Sequence, residues 1–199
     1  MVEDILEKFP FNVDYSWARW KLLNVLSDFT LFYVEGDIVE IGIGESSASF
    51  TSLSKKYNIK VYHCDISGER VRNHTEAGIY FDLTRNSVFL GPSDDFFKEI
   101  NLPPIALGFI DGNHMYEQVK KDFENLFSYV VDHGVIFLHD TYPKGENGID
   151  ALNCGTSYIL RQELEKDSRV DCFTFVRSAR NVGLTMVRKK PKDLPFYRR

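Results

Sequence analysis

The chain has 199 residues, 43% hydrophobic and 27% charged, enough for one domain with a full core and short for two. Its net charge of −5 argues against binding nucleic acid through a basic surface. Cys64, Cys154 and Cys172 show no CxxC spacing, which sets aside zinc and a disulfide framework, and with no apolar run of ~18 residues and no signal-peptide pattern in MVEDILEKFPFNVDYSW, a cytoplasmic protein away from the membrane is expected.

Residues 1–35 read as a helical prelude. Trp17, Trp20, Leu22, Leu23, Val25 and Leu26 recur at near-helical spacing, and Gly36 stops the run. Such a helix either lids a pocket or covers a sheet edge; the tryptophans are assigned to packing. Next comes DIVEIGIGESSASFTSLSKKYNIKVYHCD, from Asp37 to Asp65. It reads as an apolar strand, a turn with Gly42 and Gly44, a helix beginning near Glu45, Ser46 and Ser47, and a second strand ending on an acid. That order builds a nucleotide-type pocket in an open parallel α/β sheet.

The third strand has two contenders, 79–81 and 88–90. The second is preferred, because Gly91, Pro92 and Ser93 punctuate it and a helix follows over 94–100. A fourth strand over 105–110 ends at Asp111 and Gly112. Val119, Phe123, Leu126, Phe127 and Val130 then keep helical spacing over 116–131, with Gly134 ending the helix. The fifth strand, 135–138, ends at His139 and Asp140. A glycine-containing loop over 144–155, a helix over 156–165 and two runs at 170–176 and 183–188 complete the chain, the runs suggesting a hairpin at a sheet edge. The basic stretch after Arg188 reads as a solvated tail. One domain is expected: a prelude (1–35), a cofactor and catalytic core (36–142), and a substrate loop, helix and hairpin (143–199).

Every predicted strand ends in a polar or glycine cluster, on the rim where open α/β sheets bind ligands. The turn is an incomplete dinucleotide fingerprint, since Ser47 stands where GxGxxG has its third glycine. Glu40 places a carboxylate beneath the turn, where a pyrophosphate needs positive potential. S-adenosylmethionine has no phosphate; its ammonium, sulfonium and ribose diol suit acids, Glu40 near the amino-acid end and Asp65 at the ribose. Ser46 and Ser47 offer hydroxyls and backbone N–H groups to it. The structural alternatives are Glu40 as a buried acid paired with a lysine or backbone donor, and Asp65 as a helix N-cap.

VEIGIGESSAS resembles the first motif of class I S-adenosylmethionine-dependent methyltransferases. FIDGNHMYEQVKKDFENLFSYVVDHGVIFLHD resembles the later signature of the methyltransferase-24 family, which is similar to catechol-type O-methyltransferases. The resemblance runs from Gly36 to Tyr142. It implies a three-layer, Rossmann-like α/β fold with a seven-stranded, mostly parallel sheet of order 3-2-1-4-5-7-6 and an antiparallel last pair. It also implies cofactor contacts at Glu40, Gly42, Gly44, Asp65 and the Ser93–Asp94 turn, with the reacting centre near Asp111, His114 and Asp140.

Asp111 and Asp140 end strands expected to be neighbours, ~4.8 Å apart, where two carboxylates repel unless a proton or a cation sits between them. The resemblance implies magnesium or another divalent cation at these acids, with Thr141, a weak ligand, in the third position. His114 reads as a metal ligand, as a general base, or as a loop residue bonded to Asp111 or Asp140. His139 precedes Asp140 on a strand, so it is expected to point to the other face in a structural role. Asp122 is expected to hold the Asp111 loop. The implied activity is O-methylation of a small molecule or sugar. A nicotinamide-dependent oxidoreductase and a non-catalytic cofactor-binding protein are the alternatives. A homodimer is only the general expectation for small enzymes.

Overall fold

The computed structural model describes residues 15–76, 84–142, 154–175 and 183–192. The elements in chain order are α1 (Tyr15–Tyr33), β1 (Asp37–Ile41), α2 (Ser46–Tyr57), β2 (Val61–Asp65), α3 (Gly68–Glu76), β3 (Asn86–Leu90), α4 (Ser93–Glu99), β4 (Ile105–Ile110), α5 (Tyr116–Tyr129), β5 (Val130–His139), α6 (Ser157–Leu164), β6 (Val170–Phe175) and β7 (Leu184–Lys189). They form a seven-stranded sheet of order β3-β2-β1-β4-β5-β7-β6. The pairings from β3 to β5 are parallel, and β7 runs antiparallel to both β5 and β6. The third strand falls at the preferred site; 79–81 lies outside the described residues, as do 1–14 and the loop 143–153. Among the described residues, no helix is long and apolar enough to cross a membrane.

Central strands buried on both faces read as continuous apolar runs, and β4 (IALGFI) is buried at every position. The two faces carry separate cores. Ile38, Leu107, Phe109, Val135 and Phe137 pack with Leu23 of α1 and with Phe50 and Leu53 of α2. Val39, Ile41, Ile110, Ile136 and Leu138 pack with Phe96 of α4, Phe123 and Leu126 of α5, and Leu160 of α6. On β5, alternation therefore turns Val135 and Phe137 toward α1, and Ile136 and Leu138 toward α5 and α6.

One boundary differs from the sequence expectation. Helix α5 stops at Tyr129 and the chain is extended from Val130, so Gly134 lies within β5 and does not end the helix. Val130 already pairs with Ile105, and the register shifts before Leu107 meets Val135. Lys189 of β7 donates its ammonium hydrogens to the Phe127 and Val130 carbonyls, closing the helix end from a neighbouring strand. Gly134 serves this bulge: a Cβ there would stand 2.7 Å from Val130 Cγ1 and 2.9 Å from the Val131 carbonyl oxygen.

Candidate active site

The turn after β1 is held from inside. Glu40 is fully buried; Ser46 and Ser47 donate their hydroxyls to its two carboxylate oxygens, and His63 Nδ1 lies 2.6 Å from Oε2. His63 Nε2 reaches Asn86 Oδ1 at 2.9 Å, so the polar chain crosses β1, β2 and β3 beneath the turn. The side-chain polar atoms of Glu40, Ser46 and Ser47, read from the sequence as cofactor contacts, are turned inward and bond one another. Glu40 is a buried paired acid, but its partners are a histidine and two serines. The pairing follows from sheet register, which places Glu40 directly opposite His63.

Asp65 is a second clamp on the turn. Its Oδ2 accepts from the Ile43 N–H at 2.8 Å and its Oδ1 from the Ser67 N–H at 2.7 Å. It is not the cap of α3; Ser67 Oγ accepts from the Arg70 N–H instead. Gly42 is required by the fold. Its φ is +94°, and a Cβ would meet the Asp111 carbonyl oxygen at 2.2 Å. Gly44 is different: a Cβ there would meet nothing within 4 Å, so the packing offers no reason for glycine at that position.

A cleft of about 440 Å³ opens beside this turn, lined by Gly42, Asp65, Ile66, Ser67, Arg70, Ser93, Asp94, Gly112, Asn113, Gln118 and Asp122. Gln118 was missed from the sequence; it sits four residues beyond His114 and donates to Ser93 Oγ, Asp94 Oδ1 and Asp122 Oδ1. The Lys121 ammonium, bonded to Asp94, holds that carboxyl below its usual range. Asp122 does not hold the Asp111 loop: it bonds Gln118 within α5. Among the described residues its Oδ2 is buried without a hydrogen-bond partner, and burial pushes the carboxyl above its usual range.

At the far end of the rim, two carboxylates and two imidazoles converge. His114 Nε2 stands 3.3 Å from Asp111 Oδ1 and 3.3 Å from Asp140 Oδ2. His139 Nδ1 stands 3.2 Å from Asp111 Oδ1 and 3.0 Å from Asp140 Oδ1. Burial alone would raise the Asp111 carboxyl, but His114 and His139 hold it down at about 2. Burial would lower the His139 imidazole, and the Asp111 and Asp140 carboxylates instead lift it to about 9.

The expectation that His139 points away is overturned by register and backbone. Ile110 pairs with Leu138, so the next positions, Asp111 and His139, fall opposite each other. Asp140 then adopts φ +57°, and strand alternation stops before it applies to that residue. The carboxylate turns back to the face that His139 already occupies. Thr141 does not join them. Its hydroxyl is buried against Thr185 Oγ1 at 2.6 Å, and its carbonyl accepts from Arg161 Nε.

The entrance to α6 fastens these loops. The Thr156 N–H donates to the His114 carbonyl, the Tyr116 N–H to Thr156 Oγ1, and Ser157 Oγ to the Asp140 carbonyl. Trp20 of α1 stacks on the His139 ring from the other side, so its role extends beyond packing the sheet.

The family model Methyltransf_24, described as a methyltransferase domain, matches residues 39–141, just over half of the chain and all the strand ends above. The chain belongs to this methyltransferase family. With that, the oxidoreductase reading falls away, and the protein is a class I, S-adenosylmethionine-dependent methyltransferase. Solved structures share the fold at low identity. A provisionally assigned caffeoyl-CoA O-methyltransferase from Staphylococcus aureus is 18% identical with a TM-score of 0.67, covering 92% of this chain and 87% of its own. The O-methyltransferase TomG from Streptomyces achromogenes, solved with S-adenosylmethionine, is 16% identical at 0.64, covering 87% and 80%. An O-methyltransferase from Bacillus cereus, solved with S-adenosylhomocysteine, is 16% identical at 0.63, covering 95% and 97%. Among curated proteins no match is found.

Proposed function

We propose that this methyltransferase acts on a hydroxyl oxygen of a small molecule or saccharide, with S-adenosylmethionine in the cleft beside the β1 turn. The observation that carries the reading is His114, an imidazole 29% exposed and held between two carboxylates, next in sequence to Asn113 of the cleft wall. Imidazole is the side chain whose ordinary pKa suits taking a proton from an acceptor hydroxyl near neutral pH.

The residues present fit the cofactor. A Cβ at Gly44 would meet open space, and the Asp65 oxygens, each accepting one amide hydrogen with Arg70 3.8 Å from Oδ2, keep further lone pairs for a ribose diol. Ser93, Asp94 and Gln118 form the polar wall opposite. S-adenosylmethionine supplies an electrophilic methyl whose C–S bond breaks as the acceptor O–C bond forms, leaving a neutral thioether. The chain's own contribution is alignment, which is worth up to ~7–11 kcal/mol in well-oriented reactions, and removal of the hydroxyl proton to the His114 imidazole.

The Asp111 and Asp140 carboxylates also fit a divalent cation, which would lower the pKa of a bound acceptor hydroxyl. The chain's acidic balance favours a small acceptor over nucleic acid.

The test is methyl transfer to a panel of catechols, phenols and sugars, with calorimetry of S-adenosylhomocysteine binding on the same protein. His114→Gln is expected to slow transfer by ~10²–10⁴-fold with binding of the product unchanged. Binding without transfer to any hydroxyl, by wild type and variant alike, would favour a non-catalytic binding protein.

A further inference from the structure

The geometry points to His139 as the third ligand of a cation site with Asp111 and Asp140, and to a first-row transition ion, not magnesium, as its occupant. This rests on the proposed function only for the site's role beside the acceptor.

The His139 side chain is 6% exposed, and neither of its ring nitrogens has a hydrogen-bond partner among the described residues. Nδ1 nevertheless lies 3.2 Å and 3.0 Å from oxygens of two different carboxylates. Ligands ~2.0–2.2 Å from one ion stand ~3 Å apart in adjacent coordination positions, which matches both separations. One ligand atom from each of Asp111, His139 and Asp140 falls within 4.8 Å of the others.

The donor set then decides the ion. Magnesium prefers all-oxygen coordination, whereas imidazole nitrogen suits zinc, copper, iron or nickel. Thr141, the ligand expected from the sequence, is tied to Thr185. The stacked Trp20 ring and the Asp140 backbone turn hold the set in place.

The experiment strips the protein with EDTA and titrates it by calorimetry with Mn2+, Co2+, Zn2+ and Mg2+ separately. The transition ions are expected to bind at one site and roughly tenfold or more tightly than Mg2+. Electron spin echo of the Mn2+ form is expected to show 14N coupling that persists in His114→Asn, disappears in His139→Asn and is unchanged in Thr141→Val. Equal or tighter binding of Mg2+, absence of 14N coupling in the wild type, or its survival in His139→Asn would overturn the assignment. If His139→Asn does not fold, as judged by circular dichroism, the wild-type coupling and ion preference still decide. S-adenosylhomocysteine binding is measured on the same samples; its failure alone counts against the methyltransferase reading and leaves the metal assignment standing.

Discussion

Trp20 lies flat against His139, with ring centroids 5.4 Å apart and planes inclined by 9°. The stack joins the first described helix to the last residue of β5 and fixes the plane in which the imidazole presents its nitrogens. Trp20→Ala is expected to cost about 2–3 kcal/mol, less than a fully buried tryptophan because Trp20 is only half-buried. It should also weaken Mn2+ binding with little change in S-adenosylhomocysteine binding, and Trp20→Phe should recover most of both. Urea denaturation and metal titration check this; undiminished Mn2+ affinity in Trp20→Ala would mean the stack does not orient the ring.

Glu40 is the acceptor for three side chains in a dry environment. Removing one member of a buried charged or hydrogen-bonded set leaves the rest unsatisfied, so Glu40→Ala is expected to destabilise by ~3–5 kcal/mol. Glu40→Gln keeps the shape and should lose less. Chemical denaturation of the three proteins measures the difference. A loss in Glu40→Ala no larger than that of an ordinary surface change would refute the clamp.

The two glycines of the turn should separate fold from ligand. Gly42→Ala forces a side chain onto φ +94° and against the Asp111 carbonyl, and is expected to destabilise by at least ~1–3 kcal/mol. Gly44→Ala meets open space and should leave stability within ~0.5 kcal/mol. Its effect is expected in calorimetry, as a roughly tenfold or greater loss of S-adenosylhomocysteine affinity, near 1.4 kcal/mol. Unchanged affinity would show that the cofactor does not press against this residue.

Asp122 titrates in the opposite sense from a paired acid. Burial raises its folded pKa above the unfolded value, so its contribution to stability is fully present below the unfolded value and is lost as pH rises through the folded one. Asp122→Asn should therefore be more stable than wild type at pH 7, with the gap closing as the solution is acidified below the ordinary carboxyl range. Thermal unfolding across that window is the measurement. A gap that widens on acidification would reverse the sign and refute the raised pKa.

The strand order and the rim were legible because apolar runs and glycine punctuation are local signals and the two motifs tie them to a known sheet. β3 and the terminal hairpin fall where the sequence put them. The chemistry at two strand ends was less legible, for a shared reason. Glu40 finds its partner on another strand, through a register that no local pattern encodes. His139 was assigned to the wrong face because alternation presumes an extended backbone at Asp140, and φ +57° ends that presumption one residue early. Thr141 was offered as a ligand on its position alone, whereas its hydroxyl completes a contact with β7, a strand more than forty residues downstream.

The closure of the β1 turn by Glu40, Asp65 and Ser47 has a consequence for how a ligand is received. The Ile43 and Gly44 amides are already engaged and the loop already has its shape. A turn organised in this way has little conformational freedom left to lose on binding, so occupancy of the cleft should carry a small ordering penalty at this edge. The calorimetric entropy of cofactor binding would then be governed by water released from the cleft and by whatever ordering occurs at the acceptor side.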